Sequence, residues 1–408
     1  MRKLLLPALI SAASLSIATS ALAGTVTTDG SDIIIKTKGG LEAKTADGKA
    51  SFKLGGRVQL DYNGYDGVIN TKTPGENGSD LFFRRARLEM GGTYKDWGYL
   101  MSYNLTESGS IDLLWTSYNG FGKLAELTFG QQKEDFGLED TGSSKWITAI
   151  ERSMPSNAFD TKNNVGVKLH GANKTFSYSL GAYKQDLDNS NDLNSALTGR
   201  FVVRPIYGKD RLLHLGVGAT SRDGKFTKIS SRLGVRGNED GSAAQVVSAA
   251  YTGTPAPVAD GQDVWNAELA GYLGPVHLMA EYFDGKISGV NSSPDIEANG
   301  YYVQLGWIVT GEHRRYNDEI AAFDKVKPVN PQGAWEIFAR YDELDASDNQ
   351  NVAVKMVGET GNTTTLGVNW YANDLVKVGL NYVHAKTDQP IGGEDSGDAL
   401  VSRLQIAF

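Results

Sequence analysis

No cysteine occurs among the 408 residues, which excludes disulfides and thiolate metal sites, even though the start of the chain points to a compartment where disulfides form. Beyond the N-terminal segment there is no apolar run near the ~20 residues of a membrane-spanning helix. Histidine is scarce. His170, His214, His277, His313 and His384 are the complete set, and none stands in a nucleophile or zinc motif, so the sequence offers no catalytic centre and calls for no cofactor or metal. Positive charge is not in excess either: the formal net charge of -8 gives no global attraction to nucleic acid. It becomes about -10 once Arg2 and Lys3 are removed with a leader. A net negative chain can still enclose a positive lumen, so the total does not decide what a pore passes.

The chain opens with MRKLLLPALISAASLSIATSALA, two cations, an apolar run and small residues around Ala21 and Ala23. This predicts a secretory signal peptide over 1–23, with Gly24 as the first mature residue and one domain over 24–408. Glycine (48), tyrosine (18) and tryptophan (7) are abundant for a soluble globule. A closed β-barrel fits: it crosses a membrane on strands whose alternate residues face lipid and lumen.

The alternation is legible in several places. Val303, Leu305, Trp307 and Val309 share one face, with Gln304 and Gly306 on the other. Trp335, Ile337, Ala339 and Tyr341 oppose Glu336, Phe338 and Arg340. Leu366, Val368 and Trp370 precede a tight turn at Asn373-Asp374, and Val376, Val378, Leu380 and Tyr382 follow it. The C-terminal strand ends on Leu404, Ile406 and Phe408 in register, the pattern of an outer-membrane assembly signal.

Roughly seventeen strand candidates result, whereas a single-chain antiparallel barrel takes an even number. Counting Lys228 to Arg236 as a wall strand would put the tight Leu273-Gly274-Pro275 turn outside and the long stretch 237–262 inside. Removing it restores alternating short and long connections and leaves sixteen strands. Residues 222–262 then form one long outer loop, 133–162 a loop placed to fold inward as a constriction, and 310–332 an unusually long periplasmic turn.

One strand resists this pattern. In LFFRRARLEM, residues 81–90, Arg85 and Arg87 share a face while Arg84 falls in register with Leu88 and Met90. A lipid-facing arginine near the midplane costs ~2–4 kcal/mol. A β-bulge near Arg84 would turn it inward.

The runs GTVTTDGSDIIIKTKGGLEAK, FKLGGRVQLDY, FFRRARLE, DFGLEDTGSSKWITAIER, GAWEIFARYD and TLGVNWYANDLVKVGLNYVHAKTD resemble the phosphate-selective porins O and P of Gram-negative outer membranes, over essentially the whole mature chain. The resemblance implies homotrimers of sixteen-stranded barrels in outer-membrane lipid, passing anions through an eyelet that binds phosphate or pyrophosphate. By position, Arg84, Arg85 and Arg152 match the family's eyelet arginines, Asp112 its counter-carboxylate and Ser143 an eyelet hydroxyl. Lys228, Arg232 and Arg236 match its basic ladder, with a rung lost at Ser230, while Lys36 and Lys38 match a periplasmic basic cluster.

Three eyelet positions depart from the family pattern. Arg87 and Lys133 stand in place of aromatic residues, and Asp140 in place of a lysine. The expectation is that Asp140 pairs with Arg87 or Lys133 and that the site suits a different oxyanion, larger or organic. The competing readings are a general diffusion porin of weak anion selectivity and, less well supported, an outer-membrane barrel enzyme.

Overall fold

The computed structural model describes residues 24–28, 31–37, 39–73, 75–106, 109–185, 194–237, 247–251, 258–291, 293–347, 354–356, 359–391 and 393–408. Sixteen strands form its wall. The first eight are β1 (Ala50–Tyr65), β2 (Gly78–Tyr94), β3 (Trp97–Asn104), β4 (Ser110–Tyr118), β5 (Glu126–Lys133), β6 (Asn163–Ala172), β7 (Phe176–Gln185) and β8 (Asn194–Tyr207). The second eight are β9 (Arg211–Asp223), β10 (Val258–Leu273), β11 (Val276–Val290), β12 (Ile296–Ile308), β13 (Ala334–Asp345), β14 (Thr360–Tyr371), β15 (Val376–Ile391) and β16 (Glu394–Ala407). Successive strands pair antiparallel, and β16 returns to β1 from Ala399 opposite Tyr65 to Ala407 opposite Arg57. Closure leaves the wall no open edge, which lipid requires because it supplies no partner for a bare amide or carbonyl.

The two faces follow the sequence alternation. Leu305 is 53% exposed on the outside, whereas its neighbour Gln304 is 2% exposed inside. At the ends of β13 and β14, Trp335 stacks on Trp370 with ring centroids 5.8 Å apart, as in the aromatic girdles of membrane barrels. The Asn373 side chain closes the turn below them by accepting the Leu375 and Val376 amides at 2.8 and 3.0 Å. Three short strands, Gly24–Thr28, Ser31–Lys36 and Leu41–Thr45, extend the sheet from the start of β1. The expected signal peptide over 1–23 and Lys38 lie outside the described residues.

The segment removed from the strand count is indeed not in the wall. Lys228–Ser231 pairs with Val247–Tyr251, which pairs with Val354–Met356 in a separate small sheet. Its loop is 224–257 rather than 222–262, because Arg222 pairs with Gln262 across β9 and β10. Ile229, Leu233 and Val235 of this loop pack with Met154, Val68 and Ile69 into an apolar cluster. Gly67 lets the chain enter that cluster. At φ +58 a Cβ there would lie 2.1 Å from the Ser396 carbonyl oxygen, a site that only glycine fits. The long periplasmic connection, 309–333, also folds inward, burying Arg314 and Phe323.

Closure depends on a close approach at Gly56, whose amide and carbonyl exchange bonds of 2.7 and 3.0 Å with Phe408. A Cβ on Gly56 would meet the Arg87 carbonyl oxygen at 2.4 Å and the Phe408 ring at 3.0 Å. Gly56→Val is expected to destabilise the seam by ~1–3 kcal/mol, read as loss of the compact, heat-modifiable band on an unboiled gel.

Candidate functional site

Two irregularities in the wall shape the constriction. Gln59 of β1 pairs with Arg85 and Leu60 with Phe83, so Arg84 is the extra residue of a bulge. Phe83 then faces out at 59% exposure, and Arg84, Arg85 and Arg87 all turn inward. A second slip pairs Ser102 with Leu113 and Tyr103 with Ile111, making Asp112 the extra residue of β4. Its carbonyl accepts from Gln131 at 3.2 Å and Asn163 at 3.1 Å. Bulges re-aim side chains in this way at barrel sites.

Opposite these strands lies the inward loop 134–162, with two short helices, α1 (Leu138–Thr141) and α2 (Met154–Ala158). Carboxylates of the wall take up their leading amides. Glu281 accepts from Leu138 at 2.6 Å and Glu139 at 2.9 Å, and Asp342 accepts from Met154 at 3.1 Å. Between the helices, seven loop carbonyls are bound by side chains of β1, β13, β14, β15, β16 and the periplasmic turn. Gln59 donates to Ser144, Gln405 to Lys145, Lys377 to Ile147 and Asn369 to Thr148, at 3.2, 3.0, 2.8 and 2.9 Å. Arg403 donates to Ile150 at 2.7 Å and Arg340 to Glu151 at 2.8 Å. Arg314 reaches up from the turn to the Trp146 carbonyl.

The charged groups resolve into linked pairs. Arg84 grips Glu151 through Nε at 2.8 Å and Nη2 at 3.2 Å. Arg403 binds Asp61 twice at 2.7 Å and reaches Glu151 at 3.0 Å. Arg87 pairs with Asp112 at 2.6 Å. Asp140 lies between Arg152 at 2.5 Å and Lys133 at 3.4 Å; of its two expected partners it has Lys133, because Asp112 takes Arg87. Arg85 donates to Gln59 at 3.0 Å, and Arg57 donates to Ser144 at 3.0 Å and Ser143 at 3.4 Å.

Eight cationic side chains (Arg57, Arg84, Arg85, Arg87, Lys133, Lys145, Arg152, Arg403) thus meet five carboxylates (Asp61, Glu89, Asp112, Asp140, Glu151), three positive charges in excess. Burial pushes the Asp140 carboxyl up, but Arg152 and Lys133 outweigh it and hold the group below its usual range. Glu151 is likewise raised by burial and held well below its usual range by Arg84 and Arg403.

The other matched residues flank this centre. Lys228, Ser230, Arg232 and Arg236 line a cavity of about 290 Å³ on the outer side, together with Glu151, Asp160 and Lys162. Lys36 lines a periplasmic cavity of about 380 Å³ with Lys53, Lys145, Arg315, Lys325 and Lys327. Among the histidines, His214 pairs with Glu268 and His277 with Glu336, outside the cluster of thirteen charges.

Sequence reading missed Arg57, Arg403, Glu151 and Glu281. Alternation alone would have turned Arg403 inward, since Leu404 and Ile406 face out. Arg314 and Glu151 had no such signal, because a turn and a loop have no period.

The phosphate-selective porin O and P family model matches residues 52–408. Porin O of Pseudomonas aeruginosa is 41% identical over 430 aligned residues, covering 98% of each chain. Among solved structures, an anion-selective porin from Comamonas acidovorans superposes with a TM-score of 0.59 at 12% identity, covering 88% of this chain and all of that one. The trimer form of OmpT from Vibrio cholerae gives 0.55 at 11% identity, over 88% of this chain and 99% of that one. At these identities the two structures speak for the fold alone.

Two outcomes are expected from this geometry. Glu281→Leu leaves the Leu138 and Glu139 amides without an acceptor, ~1–3 kcal/mol each, and should raise open-channel noise in single-channel recordings. Stability contributed by Asp140 and Glu151 is complete above their ordinary values of 3.8 and 4.5 and is lost only as pH falls through their lower folded values. Unit conductance and noise should therefore be as steady at pH 5 as at pH 7, with instability appearing only at more acid pH.

Proposed function

The chain belongs to the phosphate-selective porin O and P family, and from that membership we propose that its constriction is an oxyanion filter for phosphate, pyrophosphate or a related anion. The protein is a channel of the Gram-negative outer membrane, not an enzyme. The observation that carries the proposal is the excess of three positive charges among these thirteen side chains, where the inward loop meets β1, β2, β4, β5 and β16.

An oxyanion entering a narrow passage sheds water, and donors that replace its hydrogen bonds make that step tolerable. Guanidinium suits the task because it stays charged and presents a planar fork of N–H groups. Arg85 is central to this reading. It donates to a neutral amide, that of Gln59, whereas Arg84 and Arg87 hold carboxylates. The basic residues of the outer cavity would gather anions, and those of the periplasmic cavity would receive them, so that no single site holds the ion too deeply.

The departures from the family fit the same reading. Lys133 and Arg87 each have a carboxylate beside them, Asp140 and Asp112, so the added cations change the layout of charge more than its sum. We carry a homotrimer as part of the proposal, on the family resemblance. A general diffusion porin would also have this wall, but would not need such an excess of lumenal cations.

Chloride current through single channels, titrated with phosphate, pyrophosphate and an organic phosphate, tests the proposal. At least one should inhibit at low concentration, and zero-current potentials in a salt gradient should show strong anion preference. Arg85→Ala removes a charge-assisted donor worth ~1.5–3 kcal/mol and should raise the half-inhibiting concentration about tenfold or more. Inhibition by none of the three, in a weakly selective pore, would favour a general porin.

A further inference from the structure

Glu151 of the inward loop sits between two guanidinium groups of the wall, Arg84 and Arg403. Its carboxylate takes the side-on pair of donors of Arg84, at 2.8 and 3.2 Å, and a third donor from Arg403 at 3.0 Å. Arg85 and Arg152 stand within electrostatic reach of the same group. Two oxygens sharing one negative charge, met by several guanidinium N–H groups, present what a phosphate would present. A salt bridge that only held the loop would add little here: the Arg340 bond to the Glu151 carbonyl and the Arg403 bond to the Ile150 carbonyl already fix this stretch of backbone.

We propose that Glu151 is a built-in stand-in for the permeating anion, closing the guanidinium site until an oxyanion from the outer cavity displaces its carboxylate. The proposal rests on the oxyanion-filter reading and adds a competitor to it. The route is present, since Glu151 lines the outer cavity that Lys228, Arg232 and Arg236 also line. Arg232 lines the same cavity as Glu151, so the displaced carboxylate turns toward a wall that carries a cation. Displacement exchanges one anion for another at Arg84 and Arg403, so the site is never left as an uncompensated buried cation pair. Chloride, a monatomic ion with no pair of oxygens to bridge the fork, passes without making the exchange. Dianions gain most, which makes Glu151 a specificity-determining residue for highly charged oxyanions.

The test is inhibition of chloride current by inorganic phosphate in wild type, Glu151→Gln, Glu151→Asp and Glu89→Gln. Glu89 is the comparison: it too is a lumenal carboxylate between cations, Arg57 at 3.6 Å and Lys145 at 3.0 Å. Glu151→Gln should lower the half-inhibiting phosphate concentration at least tenfold, Glu151→Asp by a smaller factor, and Glu89→Gln by less than threefold. Equal shifts in Glu151→Gln and Glu89→Gln would reduce the effect to general charge and overturn the proposal, as would unchanged inhibition in Glu151→Gln. Should Glu151→Gln fail to form channels, an Glu151→Asp value identical to wild type overturns it as well. The two readings fail separately: a wild type insensitive to phosphate, pyrophosphate and the organic phosphate beside a phosphate-sensitive Glu151→Gln sinks only the transport reading, whereas a phosphate-inhibited wild type with unchanged inhibition in Glu151→Gln sinks only the competitor.

Discussion

The constriction depends on one kind of hydrogen bond, from a side chain of the wall to a carbonyl of the inward loop. A loop carried into the lumen takes its peptide groups out of bulk water, and each unpaired carbonyl there carries a desolvation cost. Seven such carbonyls between Ser144 and Glu151 are bound by Gln59, Gln405, Arg314, Lys377, Asn369, Arg403 and Arg340. The wall therefore dictates the course of the loop, and through it the place of Asp140, Glu151 and Arg152. The same bonds make the barrel's polar interior a structural asset, since an apolar inner face could not hold a loop by its backbone.

Charge is arranged around that scaffold with near compensation. Packing many guanidinium groups into one space is costly unless carboxylates stand between them, and five do. The residual excess attracts anions, while the carboxylates keep the attraction shallow enough for release. The bulges at Arg84 and Asp112 serve this arrangement by bringing an extra charged side chain to the lumen without lengthening the strands around it.

Much of the wall was legible in the residues. Alternation at Val303 to Val309 and at Trp335 to Tyr341 identified both faces, and the parity of connections removed Lys228 to Arg236 from the strand count. Even the conflict at Arg84 was readable as a bulge, because an arginine in lipid is too costly to accept. The centre of the site was less so. The choice of Asp112 over Asp140 as the partner of Arg87 depends on a second bulge that Ile111-Asp112-Leu113 does not announce. The length of the periplasmic connection 310–332 stood out as unusual, but nothing in its composition shows Arg314 reaching the loop from below.

What the sequence determined by itself is what a periodic constraint imposes: a membrane forces two-residue alternation and a closed edge, and all-antiparallel closure an even number of strands. What only the tertiary structure decided is which charges meet. Glu151 and Arg84 are 67 positions apart, and Arg403 and Glu151 are 252 apart. No local pattern links such residues. They come together because the barrel closes and a loop, bound by its carbonyls, is laid across the opening.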